Sequence, residues 1–343
     1  MTQTIPKPDI TPSAAESIKK VLGNFEFDQI LREITEGKFS PDAGGVFNRL
    51  AGLFFGELKT AFVLVGGIAA LILLCSFVSN LHRSFGKNSI SEATGFALFV
   101  YIAIVAATIF NNAGSFVNET LKDITMLVHS IIPSMSMLCV SAGEPLTASL
   151  SHPVIFFICS AAGILIKNVI TPLVLLRAVC TLMCAITGND SLEEFAGLFS
   201  KVHKTLLAFS MSLFAGVLGI SSFASASFDN LAARGVKFAI SASVPVVGGS
   251  ISEAMSSVAG SAMLLKNAVG LGGVIILFAI FALPLLKLWA LSLALRLTAA
   301  FTAPVSEKRV TGVLRKLGEC VDMLFSSIAC MGTIMIIAIA SIL

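Results

Sequence analysis

Residues 60–81, TAFVLVGGIAALILLCSFVSNL, decide the fold class. The run carries no charged side chain over the roughly 20 positions that an α-helix needs to cross a bilayer. Similar runs follow it along the chain. Residues 94–110 form a clear one, while 126–143 is weaker because Pro133 and several serines interrupt it. Residues 153–166 and 169–186 read as two further runs, separated by Lys167-Asn168, the second carrying Arg177. Residues 205–228 make another good span, and the last begins near Val321. Two regions stay ambiguous: 236–263 is rich in Ser, Ala and Gly, and 268–303 is interrupted by Pro284 and Lys287.

The totals agree with a lipid-facing chain. Of 343 residues, 56% are hydrophobic and 13% charged, against roughly 25% charged in ordinary soluble domains. The mean hydropathy of +0.92 is too high for a water-facing surface. The expected fold is therefore all-α, a polytopic transmembrane helical bundle with broken or re-entrant segments. A net charge of +3 with one Trp and one Tyr offers neither a basic field nor stacking platforms for nucleic acid. Seven scattered cysteines, six of them inside apolar runs, fit neither a disulfide framework nor a zinc site. Cys180 and Cys184 share a helical face without a His, and packing as small apolar groups accounts for them.

Two domains are expected: a polar, amphipathic head at 1–59 and a multi-span membrane domain at 60–343. The head begins without the basic, apolar and small-residue sections of a secretory signal. Ser13 and Glu16 have capping-box spacing, which predicts a helix start there, with Ile18, Val21, Leu22 and Phe25 on one face. A second amphipathic stretch after Pro41 carries Val46, Phe47, Leu50, Leu53, Phe54 and Leu58. Such helices lie on the membrane or against the bundle, or else bind a partner. Arg83 and Lys87 in one loop, and Lys308, Arg309, Arg315 and Lys316 in another, mark both loops as cytoplasmic. The head and the C-terminus are then extracytoplasmic, and the number of crossings is even.

Units of about 152–228 and 244–343 resemble each other. Leu165-Ile166-Lys167-Asn168-Val169 reads against Leu264-Leu265-Lys266-Asn267-Ala268, and residues from Ser191 align with those from Ser306, matching Gly197 to Gly312 and Lys201 to Lys316. The loop of the first copy has two lysines and that of the second has four basic residues, which points to an inverted repeat, an arrangement that places transport pathways between the copies.

Charges inside apolar runs are the candidate functional residues, because each is costly in hydrocarbon. They are Lys167, Arg177, Lys266, Lys287 and Arg296, with Glu253 the one acid, and no acid lies at helical spacing from the five bases. Long basic side chains can snorkel to headgroups. Alternatively, Lys167-Asn168 and Lys266-Asn267 mark breaks between half-helices, where the amides pair freed backbone groups. The segment 241–263, with Pro245, Gly248, Gly249, Ser252, Glu253 and Ser256, is the least lipid-like apolar region. Close helix packing and a cavity-lining or re-entrant segment both remain open for it. HExxH, GxSxG, P-loop and GxGxxG patterns are absent, so no enzyme, metal or cofactor is expected, and any energy must come from elsewhere.

The order of motifs resembles the stage III sporulation protein AE family. The sections that carry the resemblance are Val236-Lys237-Phe238-Ala239-Ile240, then Val244-Pro245-Val246-Val247-Gly248, then Leu264-Leu265-Lys266-Asn267-Ala268-Val269-Gly270. His152-Pro153-Val154-Ile155-Phe156 and Ile131-Ile132-Pro133 add to it, and it extends from about residue 50 onward. The resemblance implies a non-enzymatic subunit of the transenvelope, secretion-like channel complex between mother cell and forespore in endospore formers. It also implies a place in the mother-cell membrane around the forespore, beside ring-forming subunits, small membrane proteins and an ATPase-like partner, with self-association open. It brings no catalytic residues with it. The alternative is a stand-alone secondary transporter with its site at the two Lys-Asn breaks.

Overall fold

The computed structural model describes residues 11–23, 29, 32–34, 43–84, 88–243 and 248–342, with side chains except at 43, 79–84, 88–94, 151, 152, 190, 226, 232, 233, 235–243 and 248–256. These residues are helical, without a strand. The helices are α1 (Pro12–Leu22), α2 (Ala43–Ser84), α3 (Asn88–Ala142) and α4 (Pro145–Leu165), then a π turn (Ile166–Ile170), α5 (Thr171–Thr187), α6 (Asp190–Ser243), α7 (Gly248–Thr302) and α8 (Lys308–Ala340). Six helical stretches among the described residues are long and apolar enough to cross a membrane, α4 and α5 counting as one. The chain is a multi-pass membrane protein.

The helices are longer than the apolar runs suggest. Runs 94–110 and 126–143 belong to one 55-residue helix, α3, and Pro133 sits inside it. Runs 153–166 and 169–186 also join, through the π turn. At 1.5 Å per residue α3 is about 80 Å long, more than twice the roughly 30 Å of a hydrocarbon core. Helix α2 likewise runs through residue 60 unbroken, so the amphipathic part of the head and the first span are one helix.

Helix α8 is the central stave. Val310, Leu314, Leu317, Val321, Leu324, Ile328, Met331 and Met335 recur at alternating steps of four and three, and all are buried. That spacing is the seam of left-handed helix packing, and α7 answers with Ile276, Ile280, Leu283, Ala290 and Ala294, also buried. The backbones approach closely where α8 has Gly332: a Cβ there would lie 3.0 Å from the Phe281 ring. Gly332→Val should therefore destabilise the bundle by about 1–3 kcal/mol, read as a lower thermal midpoint in mild detergent, whereas Gly216→Ala, at a site with open space, should not. The outer helices instead expose Phe77, Ile104, Phe157, Phe209, Ile220 and Phe223, the surface a lipid solvent requires.

Helix α1 packs on the bundle with Ala14, Ile18 and Val21 buried. Its N-cap is Thr11 rather than Ser13: the Thr11 hydroxyl accepts from the Ala14 amide at 3.2 Å. Ser13 is drawn away by α3, where Thr11 and Ser13 both donate to Asp123 at 2.5 Å. A buried carboxylate outcompetes the local capping box.

The two stretches read as a repeat fall in two helical hairpins, α4–α6 and α7–α8. Their tips lie together: Lys316 pairs with Glu193, and Arg309 donates to the Cys184 carbonyl at 3.4 Å. Both hairpins therefore point the same way, and an inverted relation between them is excluded. Loop basicity misled the reading because Glu193 on the first tip neutralises bases of the second; the two tips form one electrostatic unit.

Candidate functional site

The polar section of α3 organises the site. Asn111, Ser115, Asn118 and Lys122 follow steps of four, three and four and are exposed, as are Asn112 and Glu119. Around this section the neighbouring helices also turn polar. Lys287 of α7 lies 3.9 Å from Glu57 of α2 and 4.6 Å from the centre of the Phe116 ring. The belt divides the apolar surface of α3 into two tiers, 94–110 and 124–142, and one bilayer core covers the length of one tier.

On the side of α4, the belt opens into a cavity of about 680 Å3. Lys167 and Asn168 line it together with Ser115, Asn118, Glu119 and Lys122. The cause is local. Pro172 has no amide hydrogen to give to the preceding turn, and the helix widens before it: the Thr171 amide bonds to Ile166 O, five residues back, and the Thr171 hydroxyl also donates there at 3.0 Å. The widened turn carries Lys167 and Asn168 into the cavity without breaking the helix, so the expected break is a π turn.

Lys266 and Asn267 are elsewhere. They lie within the continuous helix α7, which corrects the expectation of a break there. Lys266 is 2% exposed and donates to Glu144 at 2.8 Å. Glu144 follows Gly143, whose φ of +89° ends α3, and the Glu144 amide bonds back to Cys139 O at 2.8 Å. Beside it Asp229 of α6 caps α4 in trans, accepting from the Leu146 and Thr147 amides at 3.0 and 2.8 Å and from the Thr147 hydroxyl at 2.7 Å. The two Lys-Asn pairs thus occupy different places, one in the cavity and one in this buried cluster.

The remaining bases inside apolar runs also find acids. Arg177, buried, bonds to Glu319 at 2.5 Å and to Met323 Sδ at 3.0 Å, and Arg296 pairs with Asp322. Pairing replaces snorkelling as their reason to be there. Pro245 lies outside the described residues. Gly248, Gly249, Ser252, Glu253 and Ser256 fall in the first turns of α7, with side chains outside the described ones. Reading the sequence missed Glu119, Lys122, Glu144 and Asp229. The first two were signalled by the regular polar spacing from Asn111 to Lys122; the other two depend on partners more than 80 residues away. Among the described residues no group of three or more His, Cys, Asp or Glu could hold a metal ion.

A profile of the family described as stage III sporulation protein AE matches residues 25–343. This chain belongs to the stage III sporulation protein AE family. The stage III sporulation protein AE of Bacillus subtilis (strain 168) is 28% identical to it over 275 residues, 80% of this chain and 69% of that one. No solved structure matches the chain. As a stage III sporulation protein AE family member, it is a sporulation protein whose match includes the whole described membrane bundle, the belt, the cavity and the Lys266–Glu144 cluster.

Proposed function

We propose that this chain is a membrane-embedded, non-catalytic subunit of the transenvelope, secretion-like channel complex between mother cell and forespore, acting structurally or as part of the conduit. The observation that carries this reading is the family match across residues 25–343. The six membrane-length helices support it. Its partners in this reading are ring-forming subunits, small membrane proteins and an ATPase-like protein, and its home is the mother-cell membrane around the forespore.

With six crossings, the α2–α3, α5–α6 and α7–α8 turns share one side. The sequence at and around these turns carries Arg83, Lys87, Lys308, Arg309, Arg315 and Lys316, which makes that side cytoplasmic by the positive-inside rule and leaves the start of α2 and the C-terminal end extracytoplasmic. Single cysteines at Ser306 and Ser341 in a background without native cysteines test the topology. With the chain expressed in the cytoplasmic membrane of non-sporulating cells, a membrane-impermeant thiol reagent should label position 341 in intact cells and position 306 only after permeabilisation; the opposite pattern reverses the orientation.

The functional test is partner dependence. The purified chain should co-purify with ring subunits and move no solute alone in liposomes. Flux of a defined solute through the chain by itself would sink the subunit reading in favour of a secondary transporter. A transporter site shared by both Lys-Asn pairs is not supported, because Lys266 is engaged with Glu144 away from the cavity that takes Lys167.

A further inference from the structure

We propose that the cavity between α3 and α4 is a phospholipid site that selects a headgroup carrying both a phosphate and a primary amine. The lining is graded along the bundle axis. Because α3 and α4 run antiparallel, Glu119 and Lys122 stand beside Lys167 and Asn168 at one end, while Met126 stands near Cys159, Gly163 and Ile164 at the other. One end is therefore charged and amide-rich, while the other is uncharged and mainly apolar, its polar groups being the Thr125 and Ser160 hydroxyls, the distribution of an amphiphile rather than of a soluble polar solute.

Depth gives a second, independent argument. The belt borders both apolar tiers of α3, and a single bilayer covers one of them. With the 124–142 tier in lipid, the exposed charges at 119, 122 and 167 stand at headgroup level, where charge is tolerated. The apolar end of the cavity points along the tier at 124–142, so acyl chains leaving it run beside Met126 and Ile164, both exposed on the outer surface. At about 680 Å3 the cavity has room for a headgroup and the first methylenes.

The charges set the selectivity. Lys122 and Lys167 supply ammonium donors for a phosphate, and Glu119 is the one carboxylate in the lining, placed to accept from a headgroup amine. Two bases and one acid match a phosphodiester with an attached ammonium better than a headgroup bearing only negative charge. The asymmetry also predicts how the selectivity changes when the acid is removed.

The test uses the full chain in nanodiscs made from equal parts phosphatidylethanolamine, phosphatidylglycerol and phosphatidylcholine, followed by detergent extraction and native mass spectrometry. About one phosphatidylethanolamine should stay on each chain. The double variant Lys122→Ala/Lys167→Ala should lower that occupancy about tenfold, and Glu119→Gln should shift the retained lipid toward phosphatidylglycerol. Gly163→Leu, which leaves every charge in place and fills the apolar end, should also lower occupancy. Helical content and thermal midpoint of each variant separate loss of lipid from loss of fold. Equal retention of the three lipids by the wild type overturns the selectivity claim, as does an unchanged lipid ratio in folded Glu119→Gln. Retention that survives the double variant, or displacement by glycerophosphoethanolamine or inorganic phosphate at lipid-like concentrations, overturns the lipid site itself.

Discussion

Glu144→Ala should be the most damaging single change in the bundle, destabilising it by about 3–5 kcal/mol, because it leaves Lys266 charged, 2% exposed and without its carboxylate. The mirror change, Lys266→Met, should cost less. The side chain of Glu144 is 26% exposed and can turn toward water when its partner is gone, whereas Lys266 is enclosed by α7 and its neighbours. The double variant Glu144→Ala/Lys266→Met should regain much of the loss, since an apolar side chain of similar length can fill the space of the lysine stem. Thermal midpoints of the four proteins in one detergent form a double-mutant cycle. If Lys266→Met proves costlier than Glu144→Ala, the lysine is better solvated than its burial indicates and the argument fails.

Asp229→Ala should follow, at roughly 2–3 kcal/mol. It removes three hydrogen bonds to a carboxylate, two of them from backbone amides at the start of α4 that lack intrahelical acceptors. Asp229→Asn keeps the shape and one acceptor and should cost less than half as much. Hydrogen exchange locates the effect: faster exchange should concentrate at residues 146–149, beside the Gly143 turn, and leave α8 protected. Uniform acceleration over the whole chain would mean that Asp229 holds α6 to the bundle rather than capping α4. Ser222→Ala is a useful contrast. Its hydroxyl only bonds back to Leu218 O within its own helix, so its loss should stay within about 0.5 kcal/mol.

The two predictions share a feature that limited the sequence reading. Lys266 was conspicuous as a charge in an apolar run, yet its acid is 122 positions away across a glycine turn. No local periodicity connects them. The same holds for Arg177 with Glu319 and for Asp123 with the hydroxyls of Thr11 and Ser13. Lys167-Asn168 was legible as an irregular point because it interrupts an apolar run, but that the helix widens there rather than breaks shows only in its backbone hydrogen bonds, with Thr171 reaching back to Ile166 O. The inverted repeat failed for a related reason. Loop charge was counted one loop at a time, and the pairing of Lys316 with Glu193 puts both tips at the same end.

Composition and apolar run length alone determined that this chain is a helical membrane protein, because the bilayer allows few ways to satisfy a backbone and a run such as 60–81 can satisfy its own only as a helix. Motif order alone indicated the family. The length of the helices, the parallel placing of the two hairpins and the partner of each buried charge were decided only by tertiary structure. The physical reason is that helix formation reads neighbours three and four residues apart, whereas a charge in a bundle is stabilised by whichever opposite charge the packing brings to it.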